Sequence, residues 1–462
     1  MPDLEPSQVE VLVIGGGPAG YTAALRAADL GAKVVLIERN RVGGACLNYA
    51  CIPTKFLRYA GEVLHVLDKA PRYGISAELK ETNWTELQTR RQTLIDSQSE
   101  GLRGVIADHG IDIIAGEARL LAGREISVTA GTQEYRYRAD KIIIATGSAP
   151  FRPDIPGIQY VMSSRDLLSV ATPPSRLAII GGGPVGVELA TIFARFGTAV
   201  SLIEMMPHIL PGEDAELAGL LERELKKSSV RLYTGCRLVG IDKTDGGYHV
   251  LLIGGSVQTI NRQEVEVDGI AMCIGQKPRL DNISAAGLKT RRGVLVVDSR
   301  LGTSAEGIYA AGDITGKALL AYVAMMQGRI AAENALGLKS IMKYDAIPRC
   351  VFSMPELAGV GLTEDAARAK YPGVIVGRSP FAANASATIY GERRGLVKIV
   401  AEPEKGRLLG VHILGPGAPT LIHEAALALK MRATIKDIQR TLHIHPSLSE
   451  AIWEAAFNAA HT

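Results

Sequence analysis

Residues Val9–Arg39 read VEVLVIGGGPAGYTAALRAADLGAKVVLIER. An apolar run, Val9 to Ile14, enters Gly15-x-Gly17-x-x-Gly20, and an alanine-rich stretch of helical character continues to Leu30. Gly31 ends that helix, and KVVLIE predicts a second strand closing on Glu38. Each residue type has its own physical reason. Gly15 permits a tight turn, Gly17 lets the backbone approach a pyrophosphate, and Gly20 allows close helix–strand packing. The helix N-terminus presents N–H groups and positive dipole potential to the phosphates. Glu38 lies at the distance expected of an acid that takes the hydroxyls of a ribose.

A single motif of this kind is weak evidence, but here it recurs. Leu177–Glu204 reads LAIIGGGPVGVELATIFARFGTAVSLIE, and Gly15, Gly17, Gly20, Gly31 and Glu38 reappear as Gly181, Gly183, Gly186, Gly197 and Glu204. Every position moves by the same interval, so two dinucleotides are expected rather than one site and a decorative turn. Glu204 favours NAD over NADP, because a carboxylate repels a 2′-phosphate, and Met205, Met206, Pro207 and His208 bring no arginine after it. The residues alone do not assign a cofactor to either unit.

Composition agrees with a ligand-binding globular protein. The chain has 462 residues, length for about three domains, and Lys plus Arg exceeds Asp plus Glu by only 51 − 48 = 3. So small an excess argues against a nucleic-acid partner. Glycine, 50 of 462, stands above its usual share, as expected where backbone approaches a ligand closely. No apolar stretch is long enough to span a bilayer, and no targeting segment is recognised, so a cytoplasmic setting is expected. Five cysteines do not form a secreted disulfide framework.

Directly after Glu38 comes RNRVGGACLNYACIPTK, with Cys46 and Cys51 five apart behind Gly43-Gly44. That spacing does not suit zinc, and Cys236, Cys273 and Cys350 are scattered without companion histidines, so no metal is expected. Two buried thiols acting as small hydrophobes would be the bland alternative. Position favours a redox pair: a dithiol beside a bound dinucleotide can exchange electrons with a flavin while one thiol meets an external disulfide. Lys55, four residues on, could lower a thiol pKa or stabilise a reduced anionic flavin. Near the other end, His445-Pro446-x-x-x-Glu450 offers a base that titrates near neutral pH and a carboxylate to orient it, with Ser447 as an expected helix N-cap. On spacing alone, a loop histidine beside a helix-start acid fits equally well.

The segment GGACLNYACIPTK resembles the redox-active disulfide motif of the flavoprotein disulfide reductases, most closely the dihydrolipoamide dehydrogenases, and the resemblance covers essentially the whole chain. KIIIATGSAP (141–150), TSAEGIYAAGD (303–313) and LHIHPSLSEAIWEAA (442–456) resemble further segments of that family. The resemblance implies an α/β fold with two Rossmann-like dinucleotide-binding domains, for FAD and NAD, plus a C-terminal α+β dimerisation domain. It implies an FAD domain from 1–147 and 275–343, an NAD domain over 148–274, and an interface domain over 344–462. FAD would meet Gly15, Gly17, Gly20, Glu38, Arg39, Gly43, Gly44, Ala45, Lys55, Ala118, Thr146, Gly147, Ser148, Asp313 and Ala321. NAD would meet Gly181, Gly182, Gly183, Gly186, Glu204, Leu238 and Gly275.

The implied reaction oxidises protein-bound dihydrolipoyl groups and reduces NAD+. Cys46 would exchange with substrate, Cys51 would face the flavin, and Lys55 would pair with Glu188 of a GxE element. His445 would act as acid and base, oriented by Glu450, across the interface of a homodimer; His443 would be structural. The partner would be a lipoylated carrier or the lipoyl domain of an acyltransferase, or a small dithiol or disulfide. Departures from the family pattern fall at Ala50, Gln276, Tyr322 and Asn384–Ala387, none of them at the thiols or the base. Glutathione-type reductases would need arginines near Glu204; mercuric reductases would need a C-terminal cysteine pair. A transhydrogenase would lack one thiol of the pair, and a non-catalytic flavin-binding subunit would not need both thiols and the base.

Overall fold

The computed structural model of the chain describes residues 5–254 and 261–459, which divide into two units. One comprises the chain up to residue 53 with 86–151 and 275–343; the other comprises 54–85, 152–274 and the chain from 344 onward.

The first unit is built on a seven-stranded sheet. Ser7–Ile14 lies between Val34–Glu38 and Gln133–Ile144, parallel to both, and Asp112–Ala115 extends the parallel side. Glu125–Ala130 and Glu117–Leu120 continue from Gln133–Ile144 as an antiparallel flap. Ile308–Ala310 returns late in the chain to pair in parallel with Ile142–Ile144. Val11–Ile14 and Ile142–Ile144 are buried on both faces of the sheet, which is why they are continuous apolar runs rather than alternating ones. Helix Pro18–Asp29 joins the first two strands, and Ala19, Ala23, Ala24 and Ala27 form its buried stripe. The core gathers Leu12, Ile14, Ile37, Leu120, Ile142, Ile144 and Ile314.

Among the described residues the second unit carries three sheets. A parallel five-stranded sheet runs in the order Val230–Thr234, Ala199–Glu204, Arg176–Ile180, Gly269–Met272, Met162–Ser163. Helix Pro184–Arg195 joins Arg176–Ile180 to Ala199–Glu204, as Pro18–Asp29 does in the first unit. A three-stranded antiparallel sheet spans Cys236–Thr244, Gly247–Gly254 and Asn261–Val267. The third sheet is antiparallel: Arg349–Val351, Leu357–Gly361, Leu408–Leu414, Leu396–Ala401 and Ile375–Pro380. Helices Ala418–Lys430, Ile435–Arg440 and Glu450–Ala459 pack their apolar faces on it through Ile422, Ile438, Ile452 and Ala455. The α/β class and the paired nucleotide-type folds expected from the repeat are therefore present.

Candidate active site

In the first unit the glycine turn is tight enough to exclude any side chain at two of its positions. Gly15 adopts φ +102°, and a methyl there would stand 2.4 Å from the Ala145 carbonyl oxygen. A Cβ on Gly20 would reach 1.7 Å from the Gly15 carbonyl oxygen, so helix and strand meet backbone to backbone. The Glu38 carboxylate is fixed in advance: Oε2 accepts from Gly16 N at 2.6 Å and Oε1 from Asn40 N at 2.8 Å. Each oxygen keeps a second lone pair for a ribose hydroxyl.

The cysteine segment is fastened to this turn. Gly43 N donates to the Gly16 carbonyl at 2.8 Å, and a Cβ on Gly44 would lie 2.6 Å from Gly17 Cα. Asn48 secures the loop from within, its Nδ2 donating to the carbonyls of Val42 (3.0 Å) and Gly44 (2.9 Å). Cys46 lies in the short helix Gly44–Tyr49 and Cys51 opens the helix Cys51–Lys69; the pair stands near disulfide distance. Ala50, between the helices, has φ −133°, so this junction makes no demand for glycine. Tyr21 was not singled out by the sequence; burial first, and then the charge of Cys46 and Cys51, raises its phenol pKa.

Other expected flavin contacts also fall in this unit. Burial raises the Asp313 carboxyl above the ordinary range, partly opposed by Ser148 Oγ, which donates to Asp313 Oδ2 at 2.6 Å. Thr146 Oγ1 donates to the Arg279 carbonyl at 3.0 Å, and Gly147 has φ +69°. Arg39 pairs with Glu117, and Ala45 sits in the short Cys46 helix. Ala321 opens the helix Ala321–Ala335, and Ala118 is buried in the core, leaving only its backbone to offer a ligand. Gly275, with φ +120°, belongs to this unit too, although it was expected to serve NAD.

The second unit repeats the turn. A Cβ on Gly186 would lie 1.8 Å from the Gly181 carbonyl oxygen, whereas one on Gly183 would meet nothing within 4 Å. Glu204 accepts from Gly182 N and Met206 N, each at 2.7 Å. Leu238 packs against the core of this sheet system. Both turns therefore fit a dinucleotide: each has a fixed acid and a helix start packed backbone to backbone on its strand, and Gly183 leaves a bare edge in the second.

Lys55 and Glu188 are brought together. Lys55 Nζ lies 2.7 Å from Glu188 Oε2, while Oε1 accepts from Phe352 N at 3.0 Å. Helix Pro184–Arg195 also holds helix Cys51–Lys69 farther along, Arg195 Nε donating to the Gly61 carbonyl at 3.3 Å and its guanidinium pairing with Asp68. The base pair is equally direct. His445 Nδ1 lies 2.8 Å from Glu450 Oε1, and the His445 side chain is 75% exposed. The helix begins at Glu450 rather than behind a Ser447 cap: Glu450 Oε2 instead accepts from Ser447 N at 2.8 Å. That backbone bond, followed by the one to His445, holds the Glu450 carboxyl below its ordinary range. Asn384, also passed over as a support, is buried and donates through Nδ2 to the Ser447 carbonyl at 2.9 Å. His443 spends both ring nitrogens, on the Thr441 carbonyl and on Glu424.

Burial raises the thiol pKa of Cys236, of Cys273 (to about 12) and of Cys350, which keeps them protonated. Among the described residues no cluster of His, Cys, Asp and Glu could hold a metal ion, and no helix is long and apolar enough to cross a membrane.

Residues 9–328 match the family described as pyridine nucleotide-disulphide oxidoreductase, and 347–456 match its dimerisation domain. A dihydrolipoyl dehydrogenase of Thermus scotoductus is 42% identical over 97% of this chain and 96% of its own length. One from Chlorobaculum parvum is 36% identical over 98% and 97%. Among solved structures, LpdA of Mycobacterium tuberculosis superposes with a TM-score of 0.89 at 32% identity, covering 97% of this chain and 99% of its own. The HOCl-induced flavoprotein disulfide reductase RclA of Escherichia coli gives 0.86 at 27%, covering 97% and 99%.

Proposed function

The chain belongs to the pyridine nucleotide-disulphide oxidoreductase family, and on that premise we propose that it is a dihydrolipoyl dehydrogenase working through Cys46 and Cys51. The observation that carries the reading is the fastening of the cysteine loop to the first nucleotide turn, Gly43 on Gly16 and Gly44 on Gly17, with the thiols near disulfide distance. FAD and NAD, the cofactors of this family, supply when bound the electron acceptor for the thiols and the final hydride acceptor.

The chain's own residues do the rest. His445 Nε2 takes a proton from a dihydrolipoyl thiol, while Nδ1–H donates to Glu450 and fixes the tautomer. The substrate thiolate attacks Cys46 Sγ, the Cys46–Cys51 bond breaks, and Cys51 departs with the electron pair. The second substrate thiol then displaces Cys46, releasing a cyclic disulfide and leaving both protein thiols reduced. Two electrons have moved from substrate sulfur to protein sulfur, and the protons leave by way of His445. Lys55, one turn after Cys51 on the same helix, supplies positive charge near the thiol end, with Glu188 as its counter-ion.

The first nucleotide fold, 1–147 with 275–343, serves FAD; 148–274 serves NAD; 344–462 forms a homodimer in which His445 is offered to the thiols of the second copy. The exposed imidazole, with Leu442 and Ile444 beside it nearly bare of protein contact, supports that reading. The substrate is a lipoylated carrier protein or the lipoyl domain of an acyltransferase, and a thiol pair that cycles suits the reducing cytoplasm. The test is anaerobic turnover of the purified protein with NADH or NADPH and lipoamide, glutathione disulfide or oxygen. NADH with lipoamide is the expected combination, lost in Cys46→Ser with flavin still bound; full lipoamide turnover by that variant would overturn the reading.

A further inference from the structure

One side chain touches the Lys55–Glu188 pair from a third element. Phe352 follows the strand Arg349–Val351, far in sequence from both partners, and engages each of them. Its backbone N–H donates to Glu188 Oε1 at 3.0 Å, and its ring lies under the Lys55 ammonium, 4.3 Å from nitrogen to ring centroid. Glu188 Oε2 closes the set at 2.7 Å from Lys55 Nζ. A lysine ammonium on a flexible four-carbon stem has three donors and many rotamers, and one carboxylate contact leaves it room to swing. A ring face adds a second, non-hydrogen-bonding attraction that narrows the choice and covers one side of the nitrogen.

We propose that Phe352 is a positioning residue for Lys55: the backbone N–H sets the carboxylate, the ring sets the ammonium, and the pair is aligned only when both act. The proposal rests on the functional reading above only for the use made of the held charge. Glu188 is 8% exposed and would keep its Phe352 backbone bond in any non-proline variant, so ring and backbone contributions are separable. Phe352→Leu keeps the apolar bulk and removes the π face; Phe352→Trp keeps a π face; Phe352→Met is a second ring-free variant should leucine fold poorly.

The experiment is competitive acetylation of the full purified protein with acetic anhydride, read lysine by lysine by mass spectrometry. Lys80 and Lys289, remote from the pair in sequence, serve as internal standards in the same digest. An attraction of the cation–π kind corresponds to a rate change of about threefold to tenfold. Lys55 should therefore label that much faster, relative to the standards, in Phe352→Leu and Phe352→Met, and return to the wild-type rate in Phe352→Trp. A general loosening of the fold would raise every lysine together and would not be reversed by tryptophan alone. Unchanged Lys55 labelling in both ring-free variants, or equal rates in leucine and tryptophan, would overturn the proposal. Failure of the functional reading would instead appear as absent lipoamide turnover in the wild type and would leave these rates as they are.

Discussion

Substitutions in the second nucleotide turn separate packing from ligand approach. An ideal Cβ on Gly186 lies 1.8 Å from the Gly181 carbonyl oxygen and 3.0 Å from its carbon. Side-chain carbons almost never come within 3.0 Å of such an atom, so in Gly186→Ala the start of helix Pro184–Arg195 must retreat by more than 1 Å. Overpacking of this kind costs about 1–3 kcal/mol, against which alanine in a helix returns at most about 1 kcal/mol. Gly183 offers the contrast. Its φ of −74° suits any residue and a methyl there meets no protein atom within 4 Å, so Gly183→Ala should lose only the modest N-cap preference of glycine, below about 1 kcal/mol. That methyl would nevertheless stand where a pyrophosphate must come close. Differential scanning fluorimetry and NADH titration on the same samples distinguish the two. Gly186→Ala should lose a few degrees in Tm together with NADH affinity, and Gly183→Ala should lose affinity about tenfold or more with Tm nearly unchanged. Flavin content should stay constant in both, since the first turn has its own glycines. Intact Tm and NADH binding in Gly186→Ala, or equal Tm losses in the two variants, would refute the reasoning.

His445→Ala should lower lipoamide turnover about 10²–10⁴-fold, the range for a missing acid–base group, while NADH-driven reduction of ferricyanide, which needs no thiol proton transfer, is kept. Glu392 gives a pH test. Burial opposes its charge, but hydrogen bonds from His65 (2.7 Å) and Lys69 (2.5 Å) prevail and bring its carboxyl from 4.5 down to about 2. A depressed carboxyl contributes stability above pH 4.5 that disappears as pH falls towards 2. Glu392→Gln should accordingly cost about 3 kcal/mol at neutral pH by urea unfolding, with the gap to wild type closing across that acid window. Lys398, 2% exposed, holds Asp214 (2.7 Å), Glu216 (2.6 Å) and Glu364 (3.0 Å). Lys398→Met would leave the buried Asp214 without its cation, although Glu216 keeps Arg378 and Glu364 keeps Arg368 and Arg378, and should cost about 3–5 kcal/mol, measured in the same way; a loss below 1 kcal/mol would show that the cluster reorganises.

What could be read from the sequence was the part fixed by neighbours along the chain. Both nucleotide turns and the helix ends at Gly31 and Gly197 follow from local spacing. The nearness of Cys46 and Cys51 also came from adjacency. Contacts made by distant residues carried no comparable signal. Asp214 caps the helix Ala215–Lys227, and nothing near it in sequence points to Lys398. Asn384 looks like an ordinary turn residue until its amide is seen under the Ser447 carbonyl. The misread start of the last helix has a local cause. Glu450 accepts from the Ser447 N–H and the His445 ring, while the Ser447 hydroxyl is engaged with that of Ser449 rather than with a helix N–H.

The duplicated turn also explains why one copy is followed by a cysteine loop and the other is not. Through the acid the two run in step: Gly15 N donates to the Ile37 carbonyl and Gly181 N to that of Ile203, both at 2.8 Å, and each acid is held by two backbone N–H groups. Both then fold back on the middle glycine, but at different distances along the chain. Gly43 N reaches the Gly16 carbonyl five residues after Glu38; Leu210 N reaches that of Gly182 six residues after Glu204. Each returning residue has positive φ, +92° for Gly43 and +52° for Leu210. Glycine accepts that conformation at little cost, and a second glycine, Gly44, then allows the short helix carrying Cys46 to start against Gly17, with Cys51 opening the helix after it. In the second copy leucine occupies the strained position, held by burial, and Pro211 with Glu213 and Asp214 leads the chain away to Arg349 and Lys398. The copies thus diverge in the few residues after the acid, where one exit delivers Cys46 and Cys51 and the other an anchor to the C-terminal sheet.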